Sequence, residues 1–395
     1  MAKKTLISEK RALGFLMDCL GVEGVSRQEG QIAKLVRQKL IANGCKAGWI
    51  RHDKASERIG GSWEVGNLIV KLPGTVKGPR RLLMGHLDTV PLCRGAQPVR
   101  RGNRIVSAAD TGVGADNRTA VACIITTLDA IIRHRLPHPP ITALFTVGEE
   151  IGLCGARHVH ASDLGNPKMG FNIDGGDPSR VIIGATGADR WHAEVIGLSS
   201  HAGVHPEDGI SATLIASRAI ADVATQGYFG KIKKGRDRGT SNVGMIQGGE
   251  ASNQVTDRVE VRGETRSHDR KFLSKITSVY RKAFEKAARS VKNQKGKVGR
   301  VRFKAQTDYR AFRLDRSEPV VRFTSRTVKS LGRKPELYVV DGGLDANYLY
   351  EKRVPTVTLG AGQHSAHTVK EYADVREFTA GCELLLALAT GEVDS

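Results

Sequence analysis

Along this chain the spacing of apolar residues switches between a helical period and short continuous runs, and the switches mark out its elements. Between positions 8 and 20 the spacing predicts a helix, with Leu13, Leu16 and Leu20 on one stripe and Gly21 as its stop. Ser26 and Glu29 read as a capping box for a second helix that aligns Ile32, Leu35, Val36 and Leu40 and ends at Asn43 and Gly44. Strands follow at 48–52, 67–72 and 81–84. The run Ala143 to Val147 has the β-branched and aromatic content of a strand buried on both faces, and Gly148 closes it ahead of Glu149 and Glu150. An apolar helix over 120–132 precedes that strand, a turn and short helix over 152–160 follow it, and 171–176 is again strand.

Beyond about residue 190 the order changes. Strand 191–196, helix 211–225, strands 241–246 and 258–265, helix 270–291 and strand 301–307 make a βαββαβ series, the split ferredoxin-like unit. A helix over 318–331, a strand over 336–340, the Gly342-Gly343 turn, a helix over 345–350 and a strand over 356–359 then return to the earlier style. The fold class expected is therefore two-domain α/β. Residues 1–187 and 308–395 form a mixed sheet flanked by helices, and residues 188–307 form an inserted ferredoxin-like α+β domain.

Length and composition agree with two ordinary globular domains: 395 residues, 26% charged and 40% hydrophobic. Lys3 and Lys4 precede an apolar stretch too short and too broken, by Arg11 and Asp18, for a signal peptide or a membrane span, so a cytoplasmic location with no membrane partner is expected. Six cysteines without CxxC spacing argue against a disulfide framework and a thiolate metal site. A net charge of +20 raises anionic partners, with basic runs at 231–238 and 292–304. No aromatic residues alternate with those runs, as a single-strand stacking platform requires, and a nucleic-acid role is not expected.

Candidate chemistry collects at strand ends, where open α/β sheets keep their active sites. His86 and Asp88 follow one strand on the same side of an extended chain, so the carboxylate can accept from one ring nitrogen while the other binds a metal. The glycine-rich loop 110–119 lacks a GxxxxGK[ST] pattern, and Asp116 within it repels phosphate, which leaves a cation as its ligand. Glu149 and Glu150 end the central strand, Asp174 ends the next, and His364 and His367 lie in a loop after strand 356–359. His86, Asp116, Glu149, Glu150, Asp174 and either His367 or His364, a set with no sulfur, suit two divalent ions of the zinc class sharing a carboxylate.

The stretches GHLDTV (85–90), GADNRTA (114–120), TVGEEIGLCGA (146–156), NIDGG (172–176), SSHAGVHPEDGISA (199–212), GMIQGGEASNQV (244–255), GGLDAN (342–347) and HTVKEY (367–372) resemble the M20 family of metallopeptidases, in its peptidase T-like branch of aminopeptidases. The resemblance runs nearly the whole length. It implies a catalytic domain holding two zinc ions, with cobalt or manganese as alternatives, and a lid domain through which such chains can form a homodimer. It makes His86, Asp116 and Asp174 ligands of one ion, and Asp116, Glu150 and His367 ligands of the other. His367 is preferred to His364 because it stands four residues before Glu371, as the family's ligand does before its glutamate. Glu149 becomes the general base, Asp88 the partner of His86, and His201 the lid histidine that meets the developing oxyanion. Asn253, Arg266 and Gly343 are implied to face substrate. A cis peptide after Asp116 is implied as well.

Peptidase T proper has an arginine directly before its Gly-Gly turn, whereas this chain has Asp341, so a strict tripeptide requirement does not carry over. The function expected is a zinc-dependent exopeptidase that releases the N-terminal residue of short peptides. The alternative is a carboxypeptidase or N-acyl-amino-acid deacylase on the same pair of metal sites.

Overall fold

The computed structural model describes residues 6–393, so Lys3 and Lys4 lie outside it. The described chain divides into two compact units. One takes the residues up to Gly184 with Arg313–Val339 and those from Leu344 onward; the other takes Ala185–Phe312 and Val340–Gly343.

The first unit is built on a nine-stranded mixed sheet, in which Ile50–His52, Leu68–Leu72, Ile141–Thr146, Arg81–His86, Met169–Ile173, Thr356–Leu359 and Arg180–Ala185 lie side by side in that order. Ile141–Thr146, Arg81–His86, Met169–Ile173 and Thr356–Leu359 run parallel, and every residue in these four strands is buried. Strands covered on both faces need no polar-out alternation, and these are mostly apolar with buried Thr142, Thr146, Asn172, Thr356 and Thr358 among them. All four carboxyl ends therefore meet at one edge of the sheet. Helix Ala115–Arg133, almost wholly buried, packs beside Val375–Thr390, whose N-terminus Asp374 caps by accepting the amides of Arg376 and Glu377.

In the second unit the strands Gly230–Lys234, Asp237–Gly248, Arg258–Ser267, Gly187–Ile196 and Arg300–Tyr309 form one antiparallel sheet in that order. Without Gly230–Lys234 this is the strand order of the split βαβ unit. Burial alternates along Gly187–Ile196, with Trp191, Ala193 and Val195 turned toward helices Ala212–Thr225 and Arg270–Ser290. Ser211 and Asp269 cap these two helices.

Several local expectations give way. The capping box does not form: Ser26 Oγ donates to the Asp88 carboxylate at 2.6 Å, and the helix starts at Gly30 with no side-chain cap. The basic run 231–238 is a hairpin, in which Lys233 faces Arg238 and Lys234 faces Asp237. A four-stranded sheet made from Pro98–Arg101, Arg104–Ser107, Gln363–His364 and Tyr372–Asp374 has strands too short to show a period, and neither it nor the helix Val375–Thr390 was foreseen. None of the six cysteines is joined in a disulfide, and Cys154 alone among them is not buried. Among the described residues no helix is long and apolar enough to cross a membrane.

Candidate active site

The parallel strands deliver their side chains to one place. His86 is 2% exposed, and its Nδ1 lies 2.9 Å from the main-chain oxygen of Asp88 and 3.5 Å from that residue's carboxylate. A carbonyl can only accept, so Nδ1 donates to it, and Nε2 faces the carboxylates of Asp116 and Asp174. Both the main-chain oxygen and the carboxylate of Asp88 therefore face His86 Nδ1, the main-chain oxygen being the nearer. The Asp88 carboxylate also receives Ser26 Oγ, the Glu149 amide at 3.0 Å and the Glu150 amide at 3.2 Å.

Asp116 opens the long helix, and its peptide bond to Asn117 is cis. One of its oxygens is 3.0 Å from His86 Nε2 and the other 3.5 Å from His367 Nε2, so the carboxylate lies between the two imidazoles. Glu371 holds this loop by accepting the amides of Gly114 at 2.7 Å and Asp116 at 2.9 Å. Asp174 lies 4.0 Å from His86 Nε2 and is held by Gln363 at 3.0 Å. His367 Nε2 lies 2.9 and 3.0 Å from the two Glu150 oxygens. His364 turns elsewhere, stacking on Tyr372 and meeting Glu377 at 2.5 Å.

Three groups of three result: His86 with Glu149 and Glu150, and two that share a carboxylate, His86 with Asp116 and Asp174, and Asp116 with Glu150 and His367. Within each, the candidate ligand atoms lie within 4.8 Å of one another, and Asp116 belongs to the latter two. Oxygen and imidazole donors without thiolate, one carboxylate shared and each group short of four protein donors, fit a pair of divalent ions with open positions.

Charge crowding points the same way. Burial first, then Asp174, Asp345 and Glu150, push Glu149 well above the usual carboxylate range, against the pull of His86. Burial, helped by Asp116, pushes Glu150 and Asp174 up to about 7. Asp116 is held far below the usual range because the hydrogen bonds and charges of both histidines outweigh its burial. A cation among these carboxylates removes the cost of ionising them together.

His201, Asn253, Arg266 and Gly343 belong to the second unit. The His201 and Asn253 loops are joined by the Ala202 amide donating to the Asn253 carbonyl at 2.9 Å. His201 Nδ1 accepts the amides of Gly203 and Val204, both at 3.2 Å, which leaves its Nε2 protonated and free to donate. Arg266 is engaged with Glu264 through two hydrogen bonds of 2.9 and 3.1 Å. Gly343 lies where a Cβ would strike the Tyr309 ring at 2.4 Å, so close packing by itself accounts for the glycine. Asp341, in the place of the missing arginine, pairs with His268 at 2.9 Å.

Residues that the sequence pattern did not tie to the site, Glu29 having been read as part of a helix cap, stand behind the glutamate turn. Asn67 accepts the Val147 amide at 3.1 Å and Glu29 the Gly148 amide at 2.9 Å. Asp345 is buried, with one oxygen taken by Thr146 at 2.5 Å and the other without a hydrogen-bond partner. A polar residue at a strand entrance or a helix start is a weak signal by itself, and nothing in the spacing links these three to Glu149.

The family profile described as Peptidase family M20/M25/M40 matches residues 82–391. The uncharacterized protein YqjE of Bacillus subtilis is 28% identical over 384 residues, covering 97% of this chain and 98% of that one. Among solved structures, a tripeptidase from Staphylococcus aureus is 26% identical with a TM-score of 0.87, covering 98% of this chain and 99% of that chain. The aminopeptidase PepT of Bacillus cereus is 29% identical with a TM-score of 0.83 and the same coverage.

Proposed function

The chain belongs to peptidase family M20/M25/M40 and is a peptide-hydrolysing metallopeptidase; from that premise we propose that it is an aminopeptidase of short peptides built around two divalent ions. The observation that carries the reading is the pair of three-residue groups sharing Asp116, with Glu149 in the same crowd of carboxylates. His86, Asp116 and Asp174 would hold one ion, and Asp116, Glu150 and His367 the other, zinc being the ion such donors suit. Ions held there supply two things, a lowered pKa for a water molecule and polarisation of the scissile carbonyl.

The protein's own groups do the rest. Glu149 takes a proton from the attacking water and returns it to the leaving amine, a task suited to a carboxyl whose proton affinity is raised by burial. Asp88 fixes the turn from which Glu149 and Glu150 project. His201, protonated on Nε2, donates to the developing oxyanion. Asn253 contributes through the loop it shares with His201. Arg266 would have to leave Glu264 to bind a substrate carboxylate, and we give it and Gly343 secondary places.

Release of the N-terminal residue, rather than the C-terminal one, is favoured by similarity to the aminopeptidase PepT. The test is hydrolysis of one tripeptide in three forms, free, amino-acetylated and carboxy-amidated. Cleavage lost on acetylation and kept on amidation is expected. Cleavage that survives acetylation but not amidation establishes the carboxypeptidase or deacylase alternative instead.

A further inference from the structure

Four successive amides at the end of the central strand donate to buried side chains from other parts of the chain: Val147 to Asn67, Gly148 to Glu29, Glu149 and Glu150 to Asp88. Asp88 already has a place in the proposed mechanism, and Glu29 has none. Glu29 is fully buried, and its side chain does not cap the helix that begins beside it. One oxygen accepts the Gly148 amide and the other has no hydrogen-bond partner. A buried carboxylate is costly to keep, and beyond the amides of its own turn, Arg27 and Glu29, the amide that holds this one is that of Gly148.

Gly148 is where such a bond matters. Its φ of 60° is open to glycine at little cost, and a residue without a side chain leaves the peptide planes on either side free to rotate. Trp63 covers its α-carbon so closely that a Cβ there would meet the indole at 2.4 Å. Trp63 closes one side of the turn and Glu29 pins the amide. With the amide released, the Val147–Gly148 plane can turn and carry the next residue, Glu149, with it. We propose that Glu29 is a positioning residue for Glu149, holding the Gly148 amide so that the base leaves the turn in a single direction. This role rests on Glu149 being the base.

The experiment compares Glu29→Ala, Glu29→Asp and Glu29→Gln in the full chain. Glu29→Ala removes the acceptor, Glu29→Asp keeps the charge but shortens the reach, and Glu29→Gln keeps an oxygen for the amide. Both Glu29→Ala and Glu29→Asp should lower kcat by ~10–100-fold, the usual cost of losing a group that orients a catalytic one. KM and the two ions bound per chain should stay near wild type, and Glu29→Gln should restore kcat. In metal-free protein, hydrogen exchange in the segment 146–150 should be faster in Glu29→Ala and Glu29→Asp and normal in Glu29→Gln. If the alanine variant fails to fold, the aspartate and glutamine variants decide. Wild-type kcat in the shortened variants, unchanged exchange, or a glutamine variant as slow as the aspartate one overturns the proposal. Glu149→Gln is measured alongside: if it keeps turnover, the base assignment fails and this role with it. If it is inactive while the Glu29 variants are normal, only the positioning role is lost.

Discussion

The Asp88 carboxylate accepts the backbone amide of Glu149 at 3.0 Å, although the two residues are 61 positions apart. Its second oxygen takes the Glu150 amide at 3.2 Å, so one fully buried side chain fixes the backbone of both glutamates. Nδ1 of the His86 ring, meanwhile, lies nearer the main-chain oxygen of the same aspartate than its carboxylate. Asp88 thus joins the end of one strand to the end of its parallel neighbour.

Replacing Asp88 should therefore disturb the glutamate pair more than the histidine. Asp88→Asn offers one oxygen where two amides and the Ser26 hydroxyl compete, and kcat is expected to fall by ~10–100-fold while His86 still binds its ion. Metal analysis beside steady-state kinetics checks this. A variant that loses an ion but keeps turnover per bound pair would place Asp88 in metal binding alone.

His201→Ala should cost ~100-fold or more in kcat with both ions retained, as expected for losing a preorganised oxyanion donor. His201→Gln offers an amide N–H and should recover part of that loss. Rates equal to wild type in both variants would remove His201 from the mechanism.

Removing metal should make stability depend on pH in one direction. Burial first, then neighbouring carboxylates, raise Asp174 and Glu150 to about 7, and burial raises Asp345 to about 6. Asp116 first, joined by Glu150 and opposed by burial, raises His367 to about 9. Each raised group contributes stability that is full below its unfolded pKa and lost as pH rises through its folded value. Asp116 has the opposite sign, but its contribution is lost only as pH falls through its own depressed value. Chelator-treated protein should therefore melt at a lower temperature at pH 8 than at pH 5. Added zinc should raise the midpoint more at pH 8, because protons must leave the ligands before the ion binds. Thermal melts at both pH values check this, and a midpoint that rises from pH 5 to pH 8 without metal would contradict it.

The buried parallel strands were legible in sequence because strands covered on both faces are mostly apolar, and His86, Glu149, Glu150 and Asp174 were legible because they stand at or just after the ends of those strands. The choice between His364 and His367 was not open to spacing alone. In the fold, His364 is drawn away by Tyr372 and Glu377. Glu29 was misread because a serine and a glutamate three apart match a helix cap, whereas tertiary contacts give Ser26 to Asp88 and Glu29 to Gly148. The four-stranded sheet escaped for a different reason. Its strands of two to four residues hold together through pairing far along the chain, as when Tyr372 meets Val106.

The most direct measurement is turnover of a free tripeptide by Glu149→Gln beside wild type, each stripped with chelator and titrated with zinc while bound metal is counted. We expect the variant to bind two ions per chain and to lose turnover by several orders of magnitude, since the amide keeps the shape but cannot take a proton. Turnover near wild type in a variant holding both ions would contradict the assignment of Glu149 as the base.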